Sequence, residues 1–202
     1  MIEKEQESGI AGELVRMMSI VREWAADGGY DAKVSDSPPI TTTPGQLTAP
    51  ALDIFLPHTL PRGMEEIEIY VPMSIYLTIG DYRSGFLMAR SELELPNVDW
   101  FEPAVLVCLQ GELAATATAF NRGHTESSVE IPLANGKLTA TCNTVVPYGT
   151  ATEDVEGALE QHYDDSSQLF RQIIVEYFTP PPPAPKASPT PEISRGNLRL
   201  VK

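Results

Sequence analysis

The sequence predicts an α+β domain: an antiparallel five-stranded sheet with helices packed on one side, in the order α-β-β-β-α-β-β-α, followed by a Pro-rich tail. Three observations predict it. Asn135-Gly136 separates Ser128-Val-Glu-Ile-Pro-Leu-Ala from Lys137-Leu-Thr-Ala-Thr-Cys-Asn-Thr-Val-Val. Both turn residues tolerate φ > 0, as a two-residue type I′ hairpin requires. Glu66-Ile-Glu-Ile-Tyr-Val alternates as a half-buried strand should. Residues 153–178 carry an amphipathic stripe of Val155, Leu159, Tyr163, Ser166, Phe170, Ile173 and Tyr177, which gives the sheet a covering helix.

Residues 1–9 are polar and are expected to be disordered; the folded domain is expected over 10–178. From Ala11, Leu14, Met17, Met18, Val21, Trp24 and Ala25 recur at helical spacing, and Gly28-Gly29 supplies the stop. The Met pair is read as core packing rather than as an adaptable binding face. Residues 35–50 are rich in Pro and Thr and read as a long loop, because Pro removes ladder donors. Residues 51–56 read as a short strand ended by Pro57 and Pro61.

Pro72 interrupts the strand that starts at Glu66, which predicts a bulge or an edge position. A turn over Gly80-Asp-Tyr-Arg-Ser-Gly85 leads to a third strand, in which Leu93 and Leu95 alternate with Glu92 and Glu94. Val105-Leu-Val-Cys-Leu also fits a strand. Pro103 near a helix start, and Leu109, Leu113, Ala117 and Phe120 on one face, favour helix over 99–120, ended at Asn121-Arg-Gly123. After the hairpin, Pro147 leads into the last helix, whose Glu156, Glu160, Asp164 and Asp165 are placed on its outer face.

Beyond Thr179 the composition changes. Residues 179–191 form a polyproline-type linker, of which 180–191 reach roughly 37 Å at about 3.1 Å per residue. Residues 192–202 are basic and apolar. Lys186, Arg195, Arg199 and Lys202 against Glu192 give residues 179–202 a charge of +3, which leaves −17 on the rest of a chain whose total is −14. A stiff arm holding a basic tip reads as a tethered docking peptide or as a tail without a partner; both stay open.

The acidic balance argues against binding a nucleic acid or an acidic membrane. The longest apolar run is read as too short for a membrane span, and no secretory leader is visible, so a cytoplasmic location is expected. Cys108 and Cys142 sit in apolar runs and are read as buried, reduced thiols. His58, His124 and His162 are too far apart for metal-ligand spacing and are read as surface or capping residues. No nucleotide-binding, hydrolase-elbow or zinc motif is present, and the carboxylates read as a solvated face. No catalytic residue, cofactor or metal is expected.

The order of elements, Asn121 closing the middle helix, Asn135-Gly136, and Pro147 ahead of the last helix together resemble the type III secretion chaperone-like fold, including the YbjN-like bacterial proteins. The resemblance covers about residues 10–178. It implies a small acidic cytoplasmic protein, often a homodimer, that binds a segment of another protein and turns over no substrate. The Pro/Thr stretch at 35–50 and the Pro-rich arm depart from that pattern and favour a related adaptor over a strict secretion role.

The sequence therefore predicts a non-enzymatic, chaperone-like or adaptor module. Tyr70, Met73, Ile75 and Tyr76 near Pro72 are its candidate contacts, with Arg195, Leu198, Arg199, Leu200 and Val201 as a second docking element. A subunit of a phage or secretion assembly, and a metal-dependent small-molecule enzyme, are the competing readings.

Overall fold

A computed structural model describes residues 2–43, 46–62, 65–79, 85–95, 103–123, 127–134 and 137–178. The elements are α1 (Ile2–Asp27), β1 (Asp31–Val34), β2 (Ile40–Thr43), β3 (Gln46–Arg62), β4 (Glu65–Ile79), β5 (Phe86–Glu94), α2 (Pro103–Gly123), β6 (Ser127–Glu130), β7 (Leu133–Ala134), β8 (Lys137–Pro147) and α3 (Thr152–Phe178). All strand pairs are antiparallel, in the order β1-β3-β4-β5-β8-β6. Alongside β3, β2 brings the main sheet to seven strands among the described residues, and the two-residue β7 pairs separately with the start of β8. Five strands were therefore too few.

One extra strand, 40–43, comes from the stretch 35–50 read as a loop, as do the first residues of β3; the other, 31–34, lies just before it. Residues 31–34 and 40–43 both pair with β3, so they are two pieces of one sheet edge interrupted around Pro38-Pro39. An edge needs only one row of backbone partners, which polar and Thr-rich sequence supplies without an apolar face. Residues 2–9, expected to be disordered, fall within α1.

Proline phase explains how β3 runs for 17 residues through Pro50, Pro57 and Pro61. Their partners are Tyr76, Tyr70 and Glu66, all even-numbered residues of β4, and Pro72 is also even and faces Phe55. The even phase holds across the register shift between Pro50 and Leu52. All four prolines therefore sit where N–H groups point away from the β3–β4 seam, so no rung of that ladder is lost. On the other side of β4 the same phase faces β5. There Pro72 cannot donate the next rung, and the β4–β5 ladder ends at Met73↔Ser91. Pro72 thus marks an edge, as expected, but no bulge.

Every helix packs on one face of the sheet. β3 offers Leu52, Ile54, Leu56, His58 and Leu60 to that face. The first core cluster joins α1 (Met17, Ile20, Val21, Ala25) to Ile54, Met73, Ile75, Leu87 and the start of α3 (Val155, Leu159). The second joins α2 (Leu106, Leu113, Ala117, Phe120) to Leu93, Leu138, Cys142 and the end of α3 (Leu169, Phe170, Ile173).

Three local devices fix the connections. Gly29 (φ 70°) reverses the chain after α1, where Tyr30 N–H donates to Ala25 O at 2.8 Å. Gly85 lets the Tyr148 ring lie on the backbone, where an added Cβ would meet the ring at 2.3 Å, while Tyr148 O–H donates to Thr78 O at 2.8 Å. Asn121 clamps the end of α2 to β6: its amide donates to Val129 O at 3.0 Å, and its oxygen accepts from Val129 N–H at 2.8 Å.

The segment around 99–120 is helix, with Leu106, Leu113, Ala117 and Phe120 buried. Cys108 falls opposite this stripe and is exposed; only Cys142 is the buried thiol expected. By length and composition Ala104–Gly123 is long and apolar enough to cross a membrane, with a mean hydropathy of 1.2, which corrects the reading that every apolar run is too short. Its buried stripe is committed to the sheet.

Candidate functional site

Two constellations stand out, one buried and one open. The buried one centres on α3. His162 shares hydrogen bonds with Ser91 Oγ (Nε2, 3.0 Å) and Thr144 Oγ1 (Nδ1, 2.9 Å), and Thr144 reaches Ser127 Oγ at 3.0 Å. This chain crosses α3, β5, β8 and β6. His58 Nδ1 bonds Ser167 Oγ at 3.0 Å, and its ring lies edge-on to Tyr163. Tyr163 O–H in turn donates to Pro57 O at 2.6 Å. Burial holds both imidazoles neutral, with pKa values lowered to about 4.

His58 and His162 are thus neither surface nor capping residues, and Asp165 lies inside at 2% exposure rather than on the outer face. His124 lies outside the described residues. Ser91 beside His162 has the composition of a nucleophile–base pair, yet both are fully buried. A substrate needs access to the reacting oxygen, so the network is read as a set of polar cross-links between core elements. Among the described residues no group of three or more His, Cys, Asp or Glu side chains is placed to hold a metal ion.

The open constellation is the far half of β4. Residues 65–72 pair with β3, while β5 continues with β8 as far as Glu94↔Thr139. The sheet therefore forks at Pro72. Along the fork, the outward-phase N–H groups of Glu66, Glu68 and Tyr70 face away from β3 and meet no strand among the described residues. An edge that no described strand pairs is a template for another extended chain.

Side chains give the edge two different faces. Ile67, Ile69 and Val71 point to the helix side and pack on the second core cluster. Glu66, Glu68, Tyr70 and Pro72 are exposed on the other side, beside Pro61, Thr59, Pro57 and Phe55 of β3. Tyr70 is 63% exposed, and its O–H donates to Glu68 Oε1 at 3.0 Å. That bond to a carboxylate raises the phenol pKa. Arg171 of α3 bonds Glu66 Oε1 at 2.6 Å and brings the last turns of α3 beside the edge.

The expected contacts divide accordingly. Tyr70 is exposed at the open edge. Met73 and Ile75 are fully buried under the helices, and Tyr76 is 5% exposed beside its cross-strand partner Met88. For Met73 and Ile75 the cause is that Pro72 does not shift the register, so odd residues continue inward past it. Met73 and Ile75 are core. Arg195, Leu198, Arg199, Leu200 and Val201 lie outside the described residues. The exposed apolar side chains of α1 (Val15) and α2 (Val105, Val107) differ from the β4 edge, because a helix already satisfies its own backbone.

No protein-family model and no curated protein matches the chain. Among solved structures, the chain is similar to YbjN of E. coli, described as a proposed transcription regulator, with 12% sequence identity and a TM-score of 0.45. The match covers 79% of this chain and 93% of that one. At this level the likeness carries no functional assignment.

Proposed function

We propose that the protein is a non-enzymatic protein-binding module that accepts an extended segment of a partner as an added strand on the open edge of β4. The observation that carries this reading is the row of outward N–H groups at Glu66, Glu68 and Tyr70, which no strand among the described residues pairs. Backbone hydrogen bonds would supply affinity, and the two faces would supply preference. Ile67 and Ile69 favour apolar residues on the inner phase; Glu66, Glu68 and Tyr70 favour basic or aromatic residues on the outer phase. The module acts as a chaperone-like protein or assembly adaptor, and we place it in the cytoplasm.

Glu68→Pro tests this cleanly. It removes one outward N–H in the phase that already tolerates four prolines, so the β3 ladder is retained. Selection from a library of displayed extended peptides should enrich sequences that alternate apolar and basic residues on the wild type. The same sequences should lose binding by about tenfold or more on E68P, as for one buried hydrogen bond and the strand continuity it carries. Equal enrichment on both proteins would rule the edge out.

A further inference from the structure

We infer that residues 193–201 of the same chain are a resident ligand of the β4 edge, docking there as an intramolecular strand that a partner must displace. This rests on the edge being a strand acceptor, as proposed above, and adds what occupies it. Three observations converge.

The first is pattern. In Ile193-Ser-Arg-Gly-Asn-Leu-Arg-Leu-Val, Ser194, Gly196, Leu198 and Leu200 share one strand phase, while Ile193, Arg195, Asn197, Arg199 and Val201 share the other. β4 presents Ile67, Ile69 and Val71 in one phase and Glu66, Glu68 and Tyr70 in the other. Cross-strand neighbours share a face, so the leucines lie with the isoleucines and the arginines with the glutamates. A slip by one residue would put arginine against the core and glutamate beside leucine, which favours this phase over the other.

The second is charge. Residues 179–202 carry +3, and the remainder of the chain carries −17. The edge itself concentrates Glu65, Glu66 and Glu68, with Arg171 as the facing cation at Glu66. Both charges are exposed in that pair, so an incoming arginine competes with it at small cost.

The third is reach. The Arg171–Glu66 contact fixes α3 beside the edge, and α3 ends seven residues later at Phe178, about 10 Å further on at 1.5 Å per residue. Twelve residues, 180–191, at about 3.1 Å each in a polyproline conformation would reach up to roughly 37 Å, more than enough to return the tip to residues 65–72. A linker of this length gives an effective concentration in the millimolar range, so a segment with a Kd of about 0.1 mM is docked about nine-tenths of the time. A strand held this weakly still yields to a partner that binds more tightly.

Amide hydrogen exchange by NMR on the full chain reads this directly, comparing wild type with Leu198→Asp/Leu200→Asp. In the wild type the amides of Glu66, Glu68 and Tyr70 should exchange about tenfold more slowly than in the variant. The amides of Ile67, Ile69 and Val71, directed to β3, should be equally protected in both. Outward amides that exchange at one rate in both proteins overturn the inference. Protection that disappears on dilution also overturns it, because the occupant is then a second copy. A synthetic 193–202 peptide added to the variant separates this failure from that of the proposed function. Should it protect the outward amides while wild type and variant are alike, the edge binds strands and the resident ligand is wrong. Absence of protection by peptide and by tail alike overturns both readings.

Discussion

Lowering the pH from 7 to 5 should destabilise this protein well before its carboxylates protonate. His58 and His162 are buried and neutral, with pKa values lowered from 6.5 to about 4. Between those values the unfolded chain takes up protons that the folded one refuses, so stability rises with pH and falls on acidification. At pH 5 each histidine costs about 2 kcal/mol relative to pH 7, at about 1.4 kcal/mol per unit of pKa difference. Together they approach about 4 kcal/mol, a large share of the 5–15 kcal/mol typical of a domain. Glu13 does not contribute in this window. Its pKa is lowered by its hydrogen bond from Arg16, so its stabilisation is lost only as pH falls below the ordinary carboxylate range. Urea denaturation followed by circular dichroism at pH 7 and pH 5 should show the midpoint fall by roughly 2 M, at a slope of about 2 kcal/mol per molar. H58Q and H162Q should each remove about half of that pH dependence. Equal midpoints at the two pH values in the wild type, or an undiminished shift in the double variant, would refute the argument.

Other outcomes follow from the same packing. Met73→Ala should cost about 2–5 kcal/mol by leaving a cavity under α1, whereas Tyr70→Ala should change stability by less than about 0.5 kcal/mol and weaken peptide binding. Thermal denaturation and peptide titration of the two variants separate core from contact. Glu13→Ala should cost about 1–3 kcal/mol, because its carboxylate holds Arg16 Nη2 at 2.6 Å and accepts from Gly149 N–H at 2.8 Å, joining α1 to the β8–α3 turn. Gly149→Ala at φ 86° should cost about 1 kcal/mol through backbone strain alone, with the binding of edge peptides unchanged.

Much of the fold was legible because periodicity reports burial. The alternation that starts at Glu66, the stripe of α3 and the apolar face of α2 all fall where packing demands them. The hairpin was legible from Asn135-Gly136: those two residues lie outside the described ones, but Ala134 pairs with Lys137 across a two-residue gap. What escaped was edge structure and proline phase. β1 is exposed along its length, and the Thr run of β2 has no apolar alternation, so no pattern marks either. The prolines of β3 read as strand breakers because the sequence does not reveal which way each missing N–H would point. The misreading of Met73 and Ile75 followed from their place beside Pro72, where a bulge or an edge is expected. His58, His162 and Asp165 were hidden for another reason: polar residues are placed on the surface by default, and the sequence does not show the hydrogen bonds that accompany their burial, His162 with Ser91 and Thr144, His58 with Ser167, and Asp165 with Gln161.

The central claim is that recognition occurs at the fork made by Pro72, where β4 leaves β5. Amide chemical-shift mapping with a peptide enriched on the wild type tests it most directly. The largest shifts should fall at Glu66, Glu68 and Tyr70, with slowed exchange of those amides. Shifts concentrated instead on the exposed faces of α1 or α2, with the β4 edge unmoved, would contradict it.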